Sequence, residues 1–312
     1  MAISQDPNQY QLISSSTNKS TSTTFKANHV SPSDGSIIPV TVKILDTYKY
    51  KFIFSVTSEI HEAETYKHEN IVNVHCSFTF NDHLWIIMPP LSRLSLRSII
   101  RSSFPNGLSE VSIFFVLKDT LEALNHMHAT NKLHQNLDVG CIFFDSDSKF
   151  IKVALRSLTC EESYSDEFSG GYPSWTVAPE LTFDRTKRLR SKESDVWMLG
   201  LLALELFYGR IPVSDFEEFK VLVLAIDDEF GAVKRKGKNR WVLRKQGKLG
   251  FGSCFRGGGK KIPEALGGFM AACLSRDPEK RATTGMLMKC EFLKKRFGGD
   301  KSLAKLLKAW TN

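Results

Sequence analysis

Residues 10–88 read as strand-rich, with apolar positions grouped in short runs that punctuate a polar chain. Val40-Thr41-Val42-Lys43-Ile44-Leu45 is rich in β-branched residues and predicts a strand. Residues 71–80 and 83–88 predict two more, joined at Asn81-Asp82 and stopped by Pro89-Pro90, because proline cannot donate to a sheet ladder. Between them, residues 52–67 predict a helix carrying Glu59. Past residue 100 the period lengthens. Ile113, Val116, Leu117, Leu121 and Leu124 recur every three or four residues and predict an amphipathic helix over 109–130. Residues 194–208 are apolar on nearly all sides and predict a buried helix, closed by Gly209 and followed by Pro212. Residues 264–274 and 283–297 predict later helices. Leu303, Leu306, Leu307 and Trp310 share one face of an amphipathic tail over 298–312, which docks on the chain itself or on a partner. The class is α+β in two parts, strand-rich over 10–88 and helical over 89–297.

Composition narrows the setting. With 312 residues, 42% of them hydrophobic, the chain can bury two cores. The first 22 residues are polar, which argues against a secretory signal. No apolar run approaches the roughly 20 residues of a membrane span. The six cysteines are scattered with no CxxC pair, which suits reduced thiols in the cytoplasm or nucleus and argues against a metal site. The net charge of +8 is local. Residues 231–262 hold eleven of the 42 Lys and Arg and no acid, which leaves 31 bases against 34 acids elsewhere. With Trp241, Phe251 and Phe255 interleaved, residues 234–261 suit a surface insert, or a contact with anionic lipid, nucleic acid or an acidic partner, and Lys234-Arg235-Lys236 suits nuclear import.

Several short motifs stand in a fixed order: His75-Cys76-Ser77-Phe78, Leu84 to Pro89, Trp175 with Ala178-Pro179-Glu180, Ser194-Asp195-Val196-Trp197, Leu204-Glu205-Leu206, and Asp277 to Arg281. In that order and spacing the chain resembles the protein kinase family over residues 10–297. Within it, the chain is similar to the sterile-twenty-like (germinal-centre) group, in its oxidative-stress-responsive and plant blue-light-signalling branch. The resemblance implies a two-lobed fold, with a small β-rich lobe at 10–88 and a larger helical lobe at 89–297 interrupted by the basic insert. It also assigns roles. Lys43 matches the strand lysine that holds the ATP phosphates, and Glu59 the helix glutamate that pairs with it. His134, Asp195, Glu180 and Arg281 match frame residues: Asp195 holds the catalytic-loop backbone, and Glu180 with Arg281 forms a buried ion pair.

The catalytic groups depart from that pattern. A glycine-rich loop lets backbone N–H groups approach the phosphates, but residues 14–22 contain no glycine, and the family glycines fall at Thr17, Lys19 and Ser22. The catalytic Asp is Asn136, which has no basic carboxylate. The arginine that pairs with an activation-loop phosphate is Gln135, so loop phosphorylation is not read in the usual way. The lysine that touches the γ-phosphate is Asp138. The two metal ligands are Cys141, a soft ligand, and Leu155, which ligates nothing. Arg156 replaces the apolar Phe beside it, and Tyr172 replaces the threonine near the substrate-docking Trp175. Ser163, Tyr164, Ser165 and Ser169 offer hydroxyls on the intervening loop.

Two readings follow. In the first, the chain is a pseudokinase with no catalytic residue expected, degenerate at Asn136, Cys141 and Leu155. It then acts as an adaptor or allosteric regulator of an active kinase or its scaffold, as adaptor pseudokinases of the STRAD type do. In the second, it is a serine/threonine kinase of low or atypical activity using Lys43 and Glu59. ATP is the candidate nucleotide at Lys43 and Glu59, and magnesium is not expected.

Overall fold

The alternating run around Val42 becomes β3 (Ile37–Asp46), the centre of a five-stranded antiparallel sheet in order β1-β2-β3-β5-β4, with β1 Tyr10–Asn18, β2 Ser22–Val30, β4 Cys76–Phe80 and β5 His83–Met88. The computed structural model describes residues 3–18, 22–49, 53–92, 94–145, 150–159, 172–181, 190–234, 241–243, 260–297 and 301–311. Strands β4 and β5 meet in a two-residue hairpin in which Phe80 faces His83. Both turn residues, Asn81 (φ 46) and Asp82 (φ 59), are left-handed, the geometry that matches strand twist and that Asn and Asp tolerate. Alternation then sorts the faces of β3. Val40 and Val42 join Tyr10, Ala27 and Ile87 in one core cluster. Lys43 falls on the opposite face.

Helix α1 (Ile53–Thr65) buries Val56, Ile60 and Ala63, a stripe at helical spacing. The predicted strand over 71–80 begins only at Cys76. Its first residues instead tie to a short hairpin of β6 (Ile142–Phe144) and β7 (Ile151–Val153): Val72 N–H donates to Val153 O at 2.8 Å, and Val153 N–H to Asn70 O at 2.8 Å. The hairpin accordingly belongs to a first compact unit of residues 1–96, 140–162 and 310–312; a second unit holds 97–139 and 163–309.

In the second unit, α2 spans Leu96–Ser103 and α3 Glu110–Ala129, the latter capped by Ser109 and burying the five predicted apolar positions. Helix α4 (Lys192–Tyr208) starts in a capping box of Ser191 and Ser194 and ends on Gly209 at φ 80. A Cβ at Gly209 would lie 2.3 Å from Pro105 O, so only glycine closes this helix. Helix α5 (Phe216–Phe230), capped by Asp215, was not expected from the sequence. Short strands β8 (Ala232–Lys234) and β9 (Trp241–Leu243) pair, and α6 spans Glu264–Cys273. The single helix expected over 283–297 is two short ones, α7 (Thr284–Leu287) and α8 (Glu291–Lys294). Cys290 is extended between them (ψ 165), which lets Phe292 bury fully. Tail helix α9 (Lys301–Thr311) buries Leu306 completely and places Lys305 over the Phe104 ring at 5.5 Å. Among the described residues no helix is long and apolar enough to cross a membrane.

Candidate functional site

Lys43 faces Ile86 across β3 and β5 and is only 2% exposed. A buried ammonium needs hydrogen-bond acceptors. Its Nζ donates to the carbonyl of Ser157 at 2.9 Å and to that of Thr159. Glu59 sits beside Ile60 on α1, and its Oε2 accepts the Ser157 N–H at 2.9 Å. The two side chains that the sequence pairs are thus bridged through the backbone of Ser157. A single turn over Arg156–Leu158 supplies that backbone, with Leu158 N–H donating to Leu155 O at 2.9 Å.

Both former metal positions are buried in the same unit, Cys141 at 1% and Leu155 at 3% exposed. Magnesium takes hard oxygen ligands, and a thiol and an alkyl chain provide none. Among the described residues no group of three or more His, Cys, Asp or Glu is placed to hold a metal ion. The residues present do not fit magnesium. The ammonium that would meet ATP phosphates is held by the chain's own carbonyls. Residues 19–21, the side chains of 16–18 and Arg156, the hydroxyls at 163–169, and the insert over 235–240 and 244–259 lie outside the described residues.

The second unit carries the loop residues. Asp195, in the first turn of α4 and fully buried, accepts the N–H groups of His134 (2.8 Å) and Gln135 (2.6 Å), and its Oδ2 lies 3.0 Å from His128 Nε2. These bonds hold Gln135 at φ 70, a backbone conformation disfavoured for a residue with a Cβ. Arg190 Nη1 donates to Gln135 O at 3.1 Å and Oε1 at 3.3 Å, so the residue standing in the family's arginine position accepts hydrogen bonds. Asn136 is buried, 7% exposed.

Asp138 reverses the charge of the family lysine and is 1% exposed. An unpaired carboxylate there would be costly. Arg97 of α2 pairs with it at 3.1 Å, itself 5% exposed, and its guanidinium lies 6.0 Å from the Tyr172 ring. Glu205 of α4 completes the cluster. Burial pushes its carboxyl up to about 7; Arg97 opposes that rise and Asp138 adds to it. Burial first, then Glu205 and Asp138, hold the Tyr172 hydroxyl well above its usual value. The Tyr172 hydroxyl and the Glu205 carboxyl face each other, and their interaction contributes to both shifts. Below about pH 7, with Tyr172 and Glu205 neutral, the Arg97–Asp138 pair balances the cluster's charge. Sequence reasoning missed Arg97 and read Glu205 only as part of a motif, without its place in this cluster. The signal was the reversed charge at 138, which demands a buried cation without saying where in the chain it lies.

Arg281, with its side chain fully buried, grips Glu180 with both ends of its fork, Nη1–Oε1 at 2.6 Å and Nη2–Oε2 at 3.0 Å. It also donates to Ser275 O and Glu193 O and lies 5.1 Å from the Trp197 ring. Trp175 packs against Phe219 of α5, ring centroids 5.6 Å apart. The described parts form a braced loop and an engaged lysine. Asn136 supplies no base, and the carboxylate of Asp138 is tied to Arg97.

Comparison with known proteins supports the fold. The protein kinase domain model matches residues 22–293. The chain is 28% identical over 265 residues to serine/threonine-protein kinase fray2 of Dictyostelium discoideum, covering 82% of this chain and 23% of that protein. It is 26% identical over 314 residues to germinal center kinase 3 of Caenorhabditis elegans, covering 95% and 48%. It is 21% identical over 299 residues to STE20-related kinase adapter protein alpha of Gallus gallus, covering 83% and 74%. The chain therefore spans a quarter to a half of the length of the first two relatives. A family match across most of the chain, with the frame residues Asp195, Glu180 and Arg281 bonded as described, establishes that the chain belongs to the protein kinase family, in its sterile-twenty-like group.

Proposed function

We propose that this chain is a pseudokinase that binds a protein partner, an active kinase or its scaffold, and serves it as an adaptor or allosteric regulator. The observation that carries this reading is the engagement of Lys43: its ammonium donates to the carbonyl of Ser157, in the segment that matches the family's metal motif, and to that of Thr159 just after it. Asn136, Cys141 and Leu155 support it, because the base and both metal ligands are replaced together and each lies buried. Electrostatic stabilisation of a transferring phosphoryl group rests on those groups. The resemblance to an adapter protein of the same group supports the partner half of the reading.

A thermal-shift titration tests it. ATP with magnesium should raise the unfolding midpoint no more than ATP with a chelator. A magnesium-dependent rise that Lys43→Met removes would favour the alternative, a serine/threonine kinase of low activity.

A further inference from the structure

Helix α5 is apolar on two sides. Its inner stripe, Phe219, Leu222, Val223, Ile226 and Phe230, is buried. At 100° per residue, Glu217, Val221, Leu224 and Asp228 line up on the opposite side at i, i+4, i+7 and i+11. Val221 is 50% and Leu224 42% exposed, and Phe216 at the start of the helix is 49% exposed. A surface helix ordinarily places polar residues there. Charge is patterned along the same line. The two apolar residues sit between an exposed acid at each end, with Glu218 and Asp227 exposed alongside. Lys220 is the one base on the helix and lies 3.8 Å from Glu217. Around the flank, Phe216 also lines a cleft with Trp175, Val177 and Phe219, where Lys220 and Arg276 stand, so the acidic character belongs to the outer line of α5 and not to this cleft. An acidic rim around a small apolar strip discriminates by charge while the strip supplies contact.

We infer that the outer face of α5 docks a basic amphipathic helix of a protein partner, one that presents two apolar side chains bracketed by Lys or Arg a turn away on each side. This gives the chemistry of the partner in the adaptor reading and rests on that reading for its biological role. Apolar side chains of the partner would cover Val221 and Leu224, and its cations would meet Glu217 and Asp228.

The test uses the full chain and a defined probe, a stapled, fluorescein-labelled alanine-based helix with two leucines one turn apart, bracketed by lysines. Anisotropy should show binding that weakens with salt, as screening of exposed charges requires. The double variant Glu217→Lys/Asp228→Lys should weaken binding about tenfold or more, the effect of about 1.4 kcal/mol. Val221→Asp/Leu224→Asp should abolish it. All four positions are exposed, so thermal midpoints should match the parent and separate lost binding from lost folding. A probe of the same composition with its leucines on opposite faces should bind at least tenfold more weakly. Equal binding of the two probes, or binding indifferent to both variants, overturns the inference. So does sedimentation showing that the parent self-associates through Val221 and Leu224, since the occupant is then a second copy. Phosphotransfer activity with peptide binding intact would overturn the adaptor reading alone and leave this docking face standing.

Discussion

Replacing Glu205 by Gln should change how stability depends on pH. The carboxyl is buried in α4 beside Asp138, Arg97 and Tyr172, and burial lifts it from 4.5 to about 7. In the folded chain it keeps its proton to higher pH than in the unfolded chain. Between those two values the folded state binds more protons, so its stability falls as pH rises through the window. The contribution is full below the unfolded value and is lost above about 7. At about 1.4 kcal/mol per unit, the group accounts for a fall of about 3 kcal/mol. Glutamine keeps the shape and does not titrate. Urea unfolding of parent and Glu205→Gln chains, followed by tryptophan fluorescence across this range, isolates the term. The stability difference should swing by about 3 kcal/mol toward the variant as pH rises. Parallel curves would refute the reasoning and mean that Glu205 is charged in the folded chain.

Other substitutions probe the frame. Arg97→Met strands the buried Asp138 and should cost about 3–5 kcal/mol in chemical denaturation, most of it regained when Asp138→Asn is added. Arg281→Ala should cost a similar amount, about 3–5 kcal/mol, and Arg281→Lys should not restore it, because a lysine cannot make the forked contact with Glu180. Lys43→Met removes two hydrogen bonds from a charged donor and should lower stability by about 2–4 kcal/mol, read from the same unfolding curves.

What the sequence made legible was periodic or local. β3, α3, α4 and α6 followed from apolar spacing and capping residues, and Asp195, Glu180 and Arg281 kept recognisable neighbours. Helix α5 carried its own signals, an Asp215 cap and apolar residues at helical intervals. Val221 and Leu224 on its outer face blurred the period into one apolar run, so the helix was hidden by the same residues that give its face a use. The break between α7 and α8 depends on Phe292 reaching a buried site, a tertiary effect that overrides local spacing. The site was legible as a set of losses. Its replacements were not, because Lys43 is held by backbone carbonyls, which no side-chain pattern encodes, and because Arg97, Asp138, Tyr172 and Glu205 come from four distant stretches.

On the proposed reading, this kinase frame does not transfer phosphate. Incubation of the purified chain with γ-labelled ATP, a generic protein substrate, and magnesium or manganese tests it directly, with Lys43→Met run beside it. The parent should incorporate no more label than the variant under either metal; incorporation that the parent shows and Lys43→Met abolishes would contradict the pseudokinase reading.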